Sequence, residues 1–488
     1  MTGRRHVVVV GGGIAGLTVA YRLVRSSNGI PIEVTVLEAR PRAGGKLRTI
    51  EVGGIAVEAG ADSFVVRKPW AVELCKELGL GGELVVPGAL GASVWTGGRL
   101  IPFPERSAFG IPTDVERFLR WPGLPLSARL RVVADLLKRA RQGGSDESLG
   151  SLVERRLGRP ALDGLVGPLL AGLHAGDPDR LSVQATFPEL QAWERGHDSL
   201  IRGARAAVKA RPEPGDTTPG AMFATVWGGL SRLVESLETA IGPGRIRRSA
   251  TVSSIRRAED SRRSLVVEAG DAEPLAADAV VLATPAFESA KLARGLAPDA
   301  AGDLERIPYV STAVVVLVYP AGTAERLPDG TGFVVPLDAK ATITACTWLS
   351  NKWPQDEYGD RAVLRCFVGR AGHESAVDLP DDDLVSAVRA DAEAATPLGA
   401  SPEAWRVVRW IDSMPQYEVG HIERVARIEG AMAATPGLFV TGSAYRGVGI
   451  ADCVKQAGRA AAGVRAYLHS LPPAGADHDT REVIPWTS

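Results

Sequence analysis

Unbroken apolar runs alternate with stretches in which apolar residues recur at helical spacing, and this pattern predicts an α/β fold. Residues 6–10 show no polar alternation, as expected of a strand buried on both faces of a parallel sheet. Leu17, Ala20, Tyr21 and Leu23 follow at the period of a helix, and residues 32–37 give a second strand. A short hairpin is expected over 50–63, around Gly53-Gly54, and an amphipathic helix over 70–80, stopped by Gly79 and Gly81. From about residue 101 to 221 the periodicity becomes mainly helical, for example over 126–141 and 149–157. That block interrupts the α/β pattern and reads as an insertion. The pattern resumes with a helix over 230–241, a strand around 246–255, another at 265–268 and a buried strand at 279–285. Residues 310–408 are strand-rich (313–319, 332–335, 341–348, 362–369) around one helix at 381–395, as in an α+β domain. A last strand and glycine turn at 437–442 leads through 447–450 into a helix over 452–468. The remainder, from 472, is polar and proline-containing and reads as a loose tail.

The first of these turns carries the chemistry. Gly11, Gly13 and Gly16 give the G-x-G-x-x-G spacing between a strand and a helix, and Glu38 ends the next strand. In a βαβ unit one such glycine permits the tight turn, one lets backbone approach a pyrophosphate, and one lets helix pack on strand. The helix N-terminus offers unpaired amides and a positive dipole end, and an acid about 20 residues on suits a ribose hydroxyl pair. Arg42-Ala43-Gly44-Gly45-Lys46 follows. A second glycine pair allows backbone to approach a dinucleotide again, with Arg42 and Lys46 available to balance phosphate charge. With Glu38 this stretch resembles the E-x-x-x-R-x-G-G pattern of the amine-oxidase-like flavoproteins, which points to FAD rather than NAD.

At 488 residues the chain exceeds one ordinary core, and 45% apolar content supplies material for several. The expected division is a dinucleotide-binding domain from 1–55, 224–286 and 422–470, a substrate domain from 56–99 and 287–421, a helical insertion at 100–223 and a tail at 471–488. A formal net charge of −1 gives no support for nucleic-acid binding. Cys75, Cys346, Cys366 and Cys453 form no C-x-x-C, so neither a metal site nor a disulfide framework is indicated, and a reducing compartment fits. The first strand begins almost at once, leaving no room for a leader, and no apolar run reaches the ~18 residues of a spanning helix. A cytoplasmic protein, at most peripheral to a membrane, is expected. The excess of arginine over lysine favours a bacterial source.

Three later stretches are more specific. Gly172-Leu173-His174-Ala175-Gly176-Asp177 through Leu181-Ser182 is similar to the (Y/F)-A-G-D-x-x-x-L-S segment of porphyrinogen oxidases. Arg409-Trp410 with Met414-Pro415-Gln416-Tyr417-Glu418-Val419-Gly420-His421 resembles their R-W…M-P-Q-Y-x-V-G-H segment, and Gly442 to Cys453 resembles their closing flavin motif. Ala345-Cys346-Thr347-Trp348 and Lys352-Trp353-Pro354 resemble the bacterial branch. The resemblance runs from about Val7 to Leu468 and departs at His174, at Ala451, where proline is usual, and at Ala61, where proline is frequent.

The resemblance to this family of bacterial coproporphyrinogen III and protoporphyrinogen oxidases implies a Rossmann-type, GR2-like FAD-binding domain of separated segments, an α+β substrate domain and a helical insertion. It implies noncovalent FAD, a porphyrinogen substrate, and stepwise hydride transfer to flavin, with oxygen as final acceptor and hydrogen peroxide released. It implies cofactor contacts at Gly11, Gly12, Gly13, Ile14, Ala15, Gly16, Glu38, Ala39, Arg42, Gly45 and Lys46. Further contacts are implied at Gly60, Ala61, Asp62, Ser63, Val252, Trp410, Val448, Gly449 and Ile450. Lys68, then Arg67, are the first cations to consider for substrate carboxylates, with Arg446 and His174 behind them. No catalytic base and no metal ligand is assigned. Coproporphyrinogen is favoured over protoporphyrinogen. A monomer or homodimer, and transient contact with a ferrochelatase, are compatible with the reading. Another flavin oxidase or desaturase of the superfamily, and a noncatalytic FAD or porphyrin carrier, remain as alternatives.

Overall fold

The computed structural model describes residues 4–25, 30–141, 143, 145–210, 222–258 and 264–472. The end of the expected insertion, 211–221, and most of the expected tail, 473–488, lie outside the described residues.

A five-stranded, all-parallel sheet is assembled from distant parts of the chain, in the order Ile246–Arg247, Ile32–Leu37, Arg5–Val10, Ala279–Leu282, Leu438–Val440. Val7, Val8 and Val9 are fully buried at its centre, as an apolar strand covered on both faces should be. On one face the helices Ile14–Val24 and Ser231–Ile241 pack with the closing helix, Ile450–Ser470. On the other lie a three-stranded antiparallel sheet (Val252–Arg257, Leu265–Ala269, Leu275–Ala277) and helices Ala286–Ala293, Pro298–Glu305 and His421–Ala433.

A seven-stranded, mostly antiparallel sheet forms the second layer, with Ala404–Pro415 at one edge beside Tyr309–Val318 and with Ser93–Thr96 and Arg99–Pro102 at the other. The helix Asp381–Ala395 covers one face of it, as the sequence predicts. Residues 100–210 are mainly helical around their own apolar cluster, though two short antiparallel strands, Ser107–Ala108 and Ile111–Pro112, open the block.

Three expectations need correction. The single strand around 246–255 is two strands in two different sheets, because the chain turns between them at Ser249, where φ is +53°. The helix over 126–141 ends as an α-helix at Val133, tightens into a 3₁₀ turn at Ala134–Leu137 and becomes extended at Lys138. The helix over 70–80 runs instead over Pro69–Glu77, with proline at its first position, where no amide is needed.

Candidate functional site

The glycine-rich turn is as closely packed as its spacing requires. A Cβ on Gly16 would lie 1.9 Å from the Gly11 carbonyl oxygen, and one on Gly11, at φ +105°, would lie 2.8 Å from that of Ala283. Glu38 is buried, and its two carboxylate oxygens accept from the amides of Gly12 (2.7 Å) and Arg40 (2.9 Å). Gly13 begins the helix Ile14–Val24 with no side-chain cap, so the first-turn amides face outward as donors. Ile14 and Ala15 are buried behind them, and Ala39 is exposed just beyond the strand.

The Gly44-Gly45 pair is also packed within the chain. It lies on the first glycine loop: Gly44 N donates to Gly12 O at 2.8 Å, and a Cβ on Gly45 would sit 3.1 Å from the Gly13 Cα. Arg42 is engaged within the chain. It donates to the carbonyls of Ala43, Gly45 and Leu47, holding its own loop. Lys46 turns inward and donates to Ser413 O, and burial pulls its ammonium down to about 8.

Lys46 also joins this loop to the next one. A Cβ on Gly60 would meet the Lys46 carbonyl oxygen at 1.8 Å and the Trp410 ring at 3.2 Å. The Trp410 indole donates to Ala59 O at 2.8 Å, fixing the ring beside the Gly60–Ser63 loop. That loop is held by buried charge. Asp62 accepts from Lys352 Nζ at 2.6 Å and from Ser63 Oγ at 2.9 Å, and Arg365 lies 3.5 Å away while donating to Gly60 O. The two cations hold the Asp62 carboxyl well below the ordinary range, against the opposing effect of burial. Nearby, burial pushes Glu58 up to about 7, while one of its oxygens accepts from Leu230 N and Thr49 Oγ1.

The turn before the closing helix is held by neutral groups. Tyr417 Oη donates to Ser443 O at 2.7 Å and accepts from Gly447 N at 2.9 Å. His421 Nε2 lies 2.9 Å from Tyr445 O, so that nitrogen carries the proton. The Gln456 amide accepts from Arg446 N and donates to Gly447 O. Gly449 caps the helix Ile450–Ser470 with no side-chain bond, leaving a second uncapped N-terminus; Val448 is half-buried and Ile450 buried. Cys453 Sγ points at the carbonyls of Gly447 and Val448, and burial pushes its thiol up to about 12.

The substrate candidates separate. Lys68 is half-exposed and paired with Asp452 at 2.6 Å, in the first turn of the closing helix; Arg67 beside it is exposed. Arg446 is held on the surface by both oxygens of Glu429. His174 is a correction: it is buried, its ring tilted against that of Tyr417 at 5.7 Å, and pulled down to about 4 by burial, so it is neutral and offers no cation. Val252 is half-buried, two residues beyond the amide of Ala250 that donates to Glu38 O. Sequence reasoning assigned no role to Lys352, Arg365, Tyr417, His421 or Gln456. Lys352, Tyr417 and His421 stand inside stretches that carry the family resemblance, which was the available signal.

Two uncapped helix N-termini, side-chain-free backbone at Gly12–Gly13, and a buried acid beside them fit a flavin dinucleotide. Comparison with known proteins agrees. Residues 14–465 match the model of the flavin containing amine oxidoreductases. The chain is 36% identical to the coproporphyrinogen III oxidase of Bacillus subtilis strain 168 over 476 residues, covering 96% of this chain and 99% of that one. It is 34% identical to the coproporphyrinogen III oxidase of Staphylococcus aureus, covering 95% and 100%. A crystal structure from Exiguobacterium sp. 255-15, provisionally assigned as a protoporphyrinogen oxidase, superposes with a TM-score of 0.84 at 33% identity, covering 96% of this chain and all of that one. The chain belongs to the flavin containing amine oxidoreductase family.

Proposed function

We propose that the chain binds FAD noncovalently and oxidises coproporphyrinogen III to coproporphyrin III, a step of haem synthesis. The full-length identity to coproporphyrinogen III oxidases carries this reading. Overall, coproporphyrinogen III and three O2 give coproporphyrin III and three H2O2, so six hydrogens leave the macrocycle in three two-electron steps. FAD, when bound, supplies the hydride acceptor.

The chain supplies position and field. The helix begun at Gly13 would hold the pyrophosphate with its amides, and Glu38 would meet the ribose. Gly60–Ser63 and Trp410, packed on one another, would wall the ring system. The helix begun at Gly449, with no side-chain cap, would offer its positive end to the flavin ring and so favour an anionic reduced form. The protonated thiol of Cys453 is a poor nucleophile, which supports noncovalent attachment. Lys68, with Arg67 behind it, would meet propionates at the mouth of the site. In this reading 1–55, 224–286 and 422–470 bind FAD, 56–99 and 287–421 bind substrate, 100–223 is the helical insertion, and the protein works in the bacterial cytoplasm. Among the described residues no helix is long and apolar enough to cross a membrane.

A second reading, protoporphyrinogen oxidation, is favoured by the Exiguobacterium structure. Aerobic turnover of the two porphyrinogens side by side, with porphyrin fluorescence and peroxide measured together, decides between them. Faster turnover of the four-propionate substrate, one peroxide per two electrons, is expected. Preference for the divinyl substrate would transfer the assignment, and no turnover of either by the flavin-loaded protein would leave a carrier.

A further inference from the structure

One buried side chain spans both ends of the turn that delivers the closing helix. Gly442 and Gly447, at φ +129° and +124°, are conformationally permissive points at either end of Ser443–Arg446, so the turn has little intrinsic preference for one shape. Tyr417 is 1% exposed, and its single hydroxyl engages Ser443 O on one side and Gly447 N on the other. Its ring is stacked on His421 (centroids 4.0 Å apart, planes at 13°) and lies 5.7 Å from the ring of His174. His421 in turn holds Tyr445 O, midway along the turn. Gln456 ties Arg446 N and Gly447 O down to the closing helix itself.

We propose that the Tyr417 hydroxyl is a positioning group that clamps the Gly442–Gly449 turn and so aims the N-terminus of helix Ile450–Ser470 at the flavin. The inference rests on the flavin reading for the aim, and on the hydrogen bonds alone for the clamp. A helix end acts on a charge only within about its first turn, so its registration against the ring decides how strongly the reduced, anionic form is favoured. Nothing in the clamp is charged: the hydroxyl ionises far above neutral pH and both histidines are neutral, so its grip depends on geometry.

Tyr417→Phe keeps the stack and removes both hydrogen bonds. Amide exchange over 443–449 in the flavin-free protein is expected to rise about tenfold, in line with the loss of roughly 1–1.5 kcal/mol of hydrogen bonding. In the flavin-loaded protein the two-electron midpoint potential is expected to fall by ~30 mV, the equivalent of tenfold weaker preference for reduced flavin. Unchanged exchange overturns the clamp. Faster exchange with an unchanged potential overturns the aim and leaves a merely structural tyrosine. If the parent protein takes up no FAD, the flavin reading fails, while exchange in the flavin-free chain still decides the clamp. Should Tyr417→Phe not fold, Gln456→Leu serves. Faster exchange confined to 446, with 443–445 and 447 still protected, is expected if the hydroxyl holds the turn at both ends. Loss of protection throughout would refute it.

Discussion

The Gly60–Ser63 loop and the Gly442–Gly449 turn are built from similar glycine-bearing backbone but braced by opposite chemistry. The first is pinned by a part-buried carboxylate between two cations, Asp62 between the part-buried Lys352 and the buried Arg365. The second is pinned by a phenol, a neutral imidazole and an amide. Buried charge is costly to separate, whereas neutral hydrogen bonds are each worth about 1 kcal/mol. The charged brace sets two cations against Asp62, and Glu58, pushed up to about 7 by burial, makes its net field vary with pH. The neutral brace adds none, leaving the helix end and the Lys68–Asp452 pair in its first turn as the local sources. Rigidity and field come together on one side and separately on the other.

Acid should break the neutral side first, and this is the largest effect expected. Burial pulls His174 and His421 from about 6.5 down to about 4, while Asp62 is held below the carboxylate range. Above pH 6.5 the histidines are neutral in both folded and unfolded chains. Between 6.5 and 4 only the unfolded chain takes up their protons, so stability is lost as pH falls and the loss levels off below 4. Each histidine contributes up to roughly 3 kcal/mol of this loss. Amide exchange measured from pH 7 to 4.5 should rise at 442–449 well before it rises at 60–63. The reverse order would sink the distinction.

Asp62→Ala should be the most damaging single substitution, because it strands Lys352 and Arg365 without their anion. About 3–5 kcal/mol of unfolding free energy should disappear in urea titrations. A cost no larger than that of Tyr417→Phe would mean that the buried charges contribute little net rigidity. Lys68→Ala lies at the other extreme. Its pair with Asp452 is half-exposed, so stability should change by less than about 1 kcal/mol, and less still at high salt. If Lys68 meets substrate, KM for the four-propionate porphyrinogen should rise more than KM for the two-propionate one, with kcat little changed.

The dinucleotide turn was legible because its demands are local: spacing, a strand before, a helix and an acid after. The helix Asp381–Ala395 was legible for the same reason. The strand around 246–255 was misread because its apolar content is continuous while its backbone reverses at Ser249, a residue type that gives no warning of a positive φ. The Gly44-Gly45 pair was found but its packing against Gly13 was not, since that packing and approach to a cofactor make the same demand for a missing Cβ. His174 was weighed as a cation because residue type gives charge but not burial. Lys352 and Arg365 escaped assignment because each acts on a loop some 300 residues away in sequence, and no spacing rule connects them.

The central parallel sheet places a strand from near residue 5 two positions from one near residue 440. At ribosomal speeds of about 5–20 residues per second, the opening glycine turn leaves the tunnel roughly 20–90 seconds before Leu438–Val440 can dock. For the last part of that interval, about 8–30 seconds from the emergence of Ala279–Leu282, one flank of that strand is an open edge, and the helix that completes the site does not yet exist. Nascent chains are therefore dependent on shielding of that edge, and flavin loading falls at the end of synthesis rather than during it.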